Sequence, residues 1–255
     1  MTPEQLTVWT GQGPVYFGKY DAANGVEASG FMTGLYPVGC GTPTLTTSLS
    51  IEKTTLKETC SGARATLVEK ITARNLEVTL GLQQFAPRTL ARALFGESVL
   101  QSAGSVTDEK LPKLAAGDVF VLQHPDVSNI VLTAGGTALV QDTDWELIDA
   151  KHGTGRLLAD PGSSDPILAA YSYGEYVNIA AMSTTNVETG ILFAGINDDG
   201  VRGRVMIPRV SLALNGAINW ISEEATTLEF SGAALFVPEL QTDPLYGGLM
   251  RVSMI

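Results

Sequence analysis

Charge is scarce in this chain. Only 17% of its 255 residues are charged, below the roughly 25% of an average soluble domain. A monomer so poor in charge would present an apolar surface, which argues that partner subunits cover much of it. Basic residues are the scarcer kind: 16 Lys and Arg stand against 27 Asp and Glu, a formal net charge of −11. Residues 1–127 hold 10 basic and 12 acidic side chains, whereas residues 128–255 hold 6 and 15. There is no basic block, and an acidic surface repels phosphates, so tight nucleic-acid binding is excluded as an expectation. Hydrophobic residues make up 44% of the chain, which excludes disorder.

Cysteine, histidine and tryptophan are also few. Cys40 and Cys60 do not make a disulfide scaffold in a chain of this length, and two free thiols are the favoured reading. The two histidines, His124 and His152, have no second His, Cys or carboxylate at metal-ligand spacing. Neither metal nor cofactor is expected. Trp9, Trp145 and Trp220 are widely separated, as core or interface anchors are, and form no evident sugar platform. The start, MTPEQLTVWT, lacks the basic and apolar stretches of a signal peptide. Apolar tracts are broken before the roughly 18 residues a membrane helix needs, so no membrane insertion is expected.

Catalytic patterns are missing or incomplete. Gly13-Pro-Val-Tyr-Phe-Gly18-Lys19-Tyr20 approaches a phosphate-binding loop but ends in Tyr20 where Ser or Thr must hold Mg²⁺. Pro14 also removes a backbone N–H such a loop would use, so a strand around Val15–Phe17 is the expectation. No G-x-S-x-G elbow is present, and Cys60 has only distant histidines. The clusters Asp142-Thr-Asp144-Trp145-Glu146 and Asn197-Asp198-Asp199-Gly200 read as turns whose side chains bond their own backbone. The residues therefore argue against an enzyme, and no catalytic residue is assigned.

What the sequence has in abundance is period-2 alternation. In Thr44–Glu52, Leu45, Leu49 and Ile51 alternate with Thr46, Ser48, Ser50 and Glu52. In Asn75–Gln83, Leu76, Val78, Leu80 and Leu82 alternate with Asn75, Glu77, Thr79 and Gly81. Both read as half-buried strands with one small, polar, mildly anionic face. The connection between them is too long for a tight turn and reads as an extended hairpin tip. PRTLARALFG, residues 87–96, predicts one short helix: Pro87 at its first position, Leu90, Ala91 and Leu94 on one face, Gly96 as a stop.

Short alternating runs fill the second half, punctuated by Gly, Asn, Asp and Pro. The expected class is mainly β, a β-sandwich or barrel with one short flanking helix. No linker divides the chain, so residues 1–255 are expected to form a single domain. Its middle, about 97–175, reads as loop-rich, and MTPEQL and ELQTDPLYGGLMRVSMI read as terminal arms.

Several of these stretches together resemble the major tail tube proteins of long, non-contractile-tailed bacteriophages. GPVYFGKYDAANG resembles that family's opening strand and turn, and TLTTSLSIEKTTLKETCSG its strand leading into a Glu/Ser-Gly loop. LEVTLGLQQFAPRTLARALFG is similar to its strand followed by a short helix, and LVQDTDWELIDAKHGTGRLL with AYSYG to a recurrent tail-protein hairpin. GILFAGINDDGVRGRVMIPRVSLALNGAINWISEEATTLEFSGAAL carries an F-x-G-x-N turn, a basic-hydrophobic strand entering Pro208-Arg209-Val210, and a closing L-x-F-S-G strand.

The resemblance implies a structural virion protein whose hexameric rings stack into a hollow tube for DNA passage. It is thereby expected in the phage tail, assembled in the host cytoplasm. Partners implied are further copies of itself, a tape-measure protein, and tail-tip and tail-terminator proteins, with DNA passing through without tight binding. Residues Thr46, Ser48, Ser50, Glu52, Glu77 and Thr79 become candidates for the channel wall, although alternation leaves open an outer solvated face. Lys57, Glu58, Ser61, Gly62 and Arg64 become candidates for a loop contacting the next ring. The alternatives are an inner tube protein of a contractile tail or secretion system, or a secreted β-sandwich carbohydrate-binding module or hydrolase.

Overall fold

The alternating stretches fold as strands. In the computed structural model, which describes residues 9–21, 32–84, 86–162, 166–185, 188–241 and 247–254, 55% of the chain is strand and 5% helix. It divides into two compact units, residues 1–97 with 180–255, and residues 98–179.

The first unit opens with β1 (Val15–Tyr20), β2 (Met32–Pro37), β3 (Thr44–Lys57), β4 (Thr66–Leu82) and α1 (Pro87–Ala93). The second unit follows as β5 (Glu97–Gln101), β6 (Gly104–Lys110), β7 (Val119–Val121), β8 (Val127–Ala134), β9 (Thr137–Leu139), β10 (Trp145–Asp149), β11 (Thr154–Leu157), β12 (Leu168–Tyr173) and β13 (Tyr176–Ala180). The chain then returns through β14 (Glu188–Ile196), β15 (Arg202–Leu214), β16 (Leu228–Ala234), a second short helix α2 (Pro238–Gln241) and β17 (Arg251–Met254).

One antiparallel sheet organises the first unit, in the order β2-β1-β14-β15-β16-β4-β3, with β17 added to β15. It curls into a half-barrel. The period-2 rule decides its lining: Leu76, Val78, Leu80 and Leu82 of β4 meet Val15 and Phe17 of β1, Ile207 and Leu212 of β15, and Phe230 of β16. Phe230 sets its ring edge-on to Phe17, centroids 6.5 Å apart. On the opposite face a smaller cluster of Met32, Met206, Val237 and Leu240 is covered by α2.

The helix begins where the spacing places it, with Pro87 in its first turn. Thr89, Ala91 and Ala93 are its buried residues, and the expected Leu90 and Leu94 are half-buried. Its end differs from the expectation. Phe95, not Gly96, takes the left-handed conformation, with φ of 53°. The Phe95 and Gly96 amides donate to the carbonyls of Arg92 and Ala91 at 3.2 and 2.8 Å, closing the last turn. Gly96 is needed for another reason: a Cβ there would lie 2.2 Å from the Ala180 carbonyl oxygen.

Residues 98–179, expected to be loop-rich with short strands, carry those strands and a core of their own. The sheets run β6-β12-β8-β9 and β10-β11-β7, and β5 pairs with β13 where the chain enters and leaves. Trp145, Leu132, Leu157, Phe120 and Ala169 fill the space between them. The strands could be read singly, but their pairing into two sheets around one core is long-range and leaves no local period.

The C-terminal stretch also departs from the expected arm. Residues 251–254 pair with Gly203–Met206 as β17, and 238–241 form α2. The N-terminal MTPEQL lies outside the described residues.

Candidate functional site

The β3–β4 ladder places all six candidate wall residues on one face. Thr46 lies opposite Thr79, Ser48 opposite Glu77, Ser50 opposite Asn75 and Glu52 opposite Ala73. Leu76, Val78 and Leu80 point to the core, so their neighbours Glu77 and Thr79 point away from it. Thr46, Ser48, Ser50, Glu52, Glu77 and Thr79 are all exposed.

Two further strands extend this face beyond what the sequence reading named. Ser231 and Ala233 of β16 stand opposite Thr79 and Glu77, and Glu229 opposite Gly81. Ser211 and Ala213 of β15 in turn stand opposite Ala233 and Ser231. The alternation of Leu228 and Phe230 with Glu229 and Ser231 was visible in sequence. Which strand lies beside β4 was not, because pairing is a long-range property.

The result is a four-strand surface of small polar side chains. Glu52, Glu77 and Glu229 are in no ion pair among the described residues. Arg209, near its edge, is engaged by both carboxylate oxygens of Glu188 at 2.9–3.1 Å. Between Thr46 and Glu52 such a surface has negative potential, and the first exposed lysine, Lys70, stands opposite Thr54 beyond Glu52.

The connection between β3 and β4 is the expected extended hairpin, with strand pairing running further into it than the sequence pattern shows. Strand pairing continues to Lys57 opposite Thr66, and only residues 58–65 form the tip. Glu58 organises that tip. Its carboxylate accepts the amides of Ser61 at 2.9 Å, Cys60 at 3.0 Å and Arg64 at 3.1 Å, and the Ser61 hydroxyl. The Glu58 amide donates to the Ala65 carbonyl at 2.8 Å. Hydrogen bonds from Ser61 above all hold the Glu58 carboxyl below its ordinary pKa. Gly62 and Arg64 supply positive φ angles of 76° and 50°. Glu58, Ser61 and Arg64 thus form one hydrogen-bonded unit. Lys57 stays on the ladder, and Gly62 projects into open space.

The other residues singled out from sequence have local roles. Gly13–Tyr20 leads into β1, with the Pro14 carbonyl accepting from Ala194 at 3.1 Å. Asp144 accepts the Val140 amide at 2.7 Å, and Asn197 accepts the Val201 amide at 2.7 Å, both within turns. Cys40 and Cys60 are exposed free thiols. His124 stacks on Tyr173, centroids 3.9 Å apart, with Nδ1 2.9 Å from the Tyr176 hydroxyl. Burial, reinforced by the Glu109 carboxylate it bonds, raises the pKa of the neighbouring Tyr171. His152 sits 2.6 Å from Asp149, whose pKa is lowered chiefly by that bond. Among the described residues, no group of His, Cys, Asp and Glu is arranged to hold a metal ion, and no helix is long and apolar enough to cross a membrane.

The polar face, the clamped tip and the second unit all fall within one family match. The family described as "Protein of unknown function UCP028589" matches residues 8–253. The chain belongs to that family. No curated protein matches it. The UCP028589 match spans both compact units, so the 98–179 unit is part of the family's pattern.

Proposed function

We propose that this protein is a structural subunit of a phage tail tube of the long, non-contractile kind. Six copies form a ring and rings stack into a channel through which DNA leaves the virion. One observation carries the reading: four adjacent strands present Thr46, Ser48, Ser50, Glu52, Glu77, Thr79, Glu229, Ser231 and Ser211, small polar and acidic side chains, on a single face. A duplex sliding past such a wall meets no cationic contact that must be broken at each step. The long hairpin, tipped by a preordered loop, supports contact between rings. The low charge content supports a subunit covered on several sides.

The wall is a surface for passage, not for catalysis. A tape-measure protein inside the tube and tip and terminator proteins at its ends complete the partners of this reading. Negative-stain electron microscopy of the concentrated protein, alone and with tail-tip proteins, tests it. Hollow rings or tubes with sixfold averages are the expected result. Uniform monomers under both conditions overturn it.

A further inference from the structure

The mouth of the half-barrel is an open hole of about 360 Å³, walled by Trp9, Val15, Leu45, Phe193 and Val205 together with Gln12 and Thr47. Trp9 lies flat enough there that a Cβ on Gly203 would come within 2.6 Å of its indole. One of its polar groups lacks a partner. The Thr42 hydroxyl at its rim is a buried oxygen with no hydrogen-bond partner among the described residues. Beyond Thr47 the same sheet face continues as Leu49 and Ile51, 70% and 51% exposed, and ends at Arg74, opposite Ile51. At roughly 3.3 Å per residue, Thr47 to Ile51 spans about 13 Å of strand.

The loop between β15 and β16 has the matching sequence of chemistries. Its base is fixed by Ile218, packed on the core, while Trp220 is 69% and Ile221 98% exposed. Glu223 and Glu224 follow after Ser222. Trp and Ile side chains held this far into water are the opposite of what burial energetics favour. Their own hole is not lined by them. The feature is a knob without a hole beside a hole without a knob.

We propose that Trp220 and Ile221 of one copy insert into the half-barrel mouth of a second copy. The indole N–H donates to the unpartnered Thr42 hydroxyl, the only kind of bond an indole can make. Ile221 covers the apolar strip of Leu49 and Ile51. Glu223 and Glu224, within about 10 Å of Ile221 along an extended chain, reach the guanidinium of Arg74. Apolar meets apolar and acid meets base in the same order on both surfaces. Tryptophan is the residue type most enriched at the energetic centre of such contacts. Because knob and hole are different patches, the contact closes as a reciprocal pair or propagates head to tail. This inference goes beyond the tube reading and does not rest on it, since any assembly of this chain could use the contact.

Sedimentation velocity of the full chain over a concentration series tests the proposal, with two variants and a cross-link. Trp220→Ala/Ile221→Ser removes the knob, and Thr47→Trp fills the hole from an exposed position that leaves the core intact. Self-association of the unaltered chain is expected, weakened about tenfold or more by either variant with the melting temperature unchanged. In a Cys40→Ser/Cys60→Ser background, mixing a Thr47→Cys chain with an Ile221→Cys chain is expected to give a mixed disulfide dimer. A chain that stays monomeric at every concentration overturns the contact. So does association that neither variant weakens, or a mixture that gives no mixed disulfide.

Discussion

Leu49 and Leu76 stand directly opposite each other on the β3–β4 ladder, yet Leu76 is 1% exposed and Leu49 70%. Both point to the same side of the sheet. The difference lies in the neighbours. β4 has β16 beyond it and the curl of the half-barrel over it, whereas β3 is the last strand of the sheet. One ladder rung thus joins a core residue to a side chain that the described residues leave uncovered.

That asymmetry predicts two separable effects. Leu76→Ala should cost about 2–5 kcal/mol of unfolding free energy, since it opens a cavity among Val78, Leu80 and their partners. Leu49→Ser should leave stability within about 0.5 kcal/mol, as exposed substitutions do, while weakening assembly. Urea unfolding of both variants beside sedimentation of Leu49→Ser checks the split. Equal stability losses would mean that Leu49 is covered within the monomer.

The polar face predicts a defect of passage, not of folding. Glu52→Lys/Glu77→Lys places two cations on a surface that otherwise repels phosphate. Tubes should still assemble and DNA ejection should slow, more so at low salt, where screening is weakest. Single-particle ejection kinetics at two salt concentrations read this directly. Unchanged kinetics would put the face on the outside of the tube.

How far this surface was legible follows from the range of each signal. Thr46, Ser48, Ser50, Glu52, Glu77 and Thr79 could be grouped because alternation within a strand is local, and Pro87 announced its helix for the same reason. Ser231 and Ser211 could not be added, since only the register of β16 and β15 sets them beside Thr79 and Ala233. The stretches holding β7, β9 and β11 were readable as strands, but their closing around Trp145 as a separate core was hidden because that packing is long-range. The β17 pairing with Gly203–Met206 was hidden by its length as well.

The hairpin tip should be acid-sensitive. Glu58 has a folded-state pKa below its ordinary value because four donors converge on its carboxylate. A depressed carboxylate pKa means the ordering is fully present above the ordinary glutamate value, about 4.3, and is lost as pH falls through the lowered one. Protection factors of the 59–64 amides, exchange rates taken relative to the intrinsic rate at each pH, should therefore fall at acid pH while the β4 core stays protected. Glu58→Gln should show fast tip exchange already at neutral pH. A tip that exchanges identically in both proteins would show that Glu58 does not order it.

Gly96→Ala should be far more damaging than its position at a helix end suggests. The added Cβ would sit 2.2 Å from the Ala180 carbonyl oxygen, a backbone atom that cannot swing aside. The cost should exceed about 1 kcal/mol, as it does where the native geometry cannot take the new side chain, and hydrogen–deuterium exchange should localise it to 94–97 and 180–184. Here Met182 and Thr184 donate to the Leu94 and Phe95 carbonyls at 2.8 and 2.9 Å, so one displaced strand breaks several bonds. A variant as stable as the parent would mean that the two segments separate without cost.

The second unit should fold without the first. Its core, from Leu111 to Tyr171, contains no residue of the core around Phe17, Leu80 and Phe230. Its entry and exit strands, β5 and β13, pair with each other, so cutting the chain at 98 and 179 frees two ends that already lie side by side. Trp145 is its only tryptophan and is 1% exposed, which gives a clean optical reporter. A peptide of residues 98–179 should unfold in one cooperative transition, with Trp145 emission moving to the red as water reaches the indole. The complementary protein, with 98–179 replaced by a short Gly-Ser link, should keep the cooperative unfolding of the half-barrel, because none of the residues lining that core is removed. If either piece lacks a cooperative transition, the two units depend on each other for stability despite having separate cores.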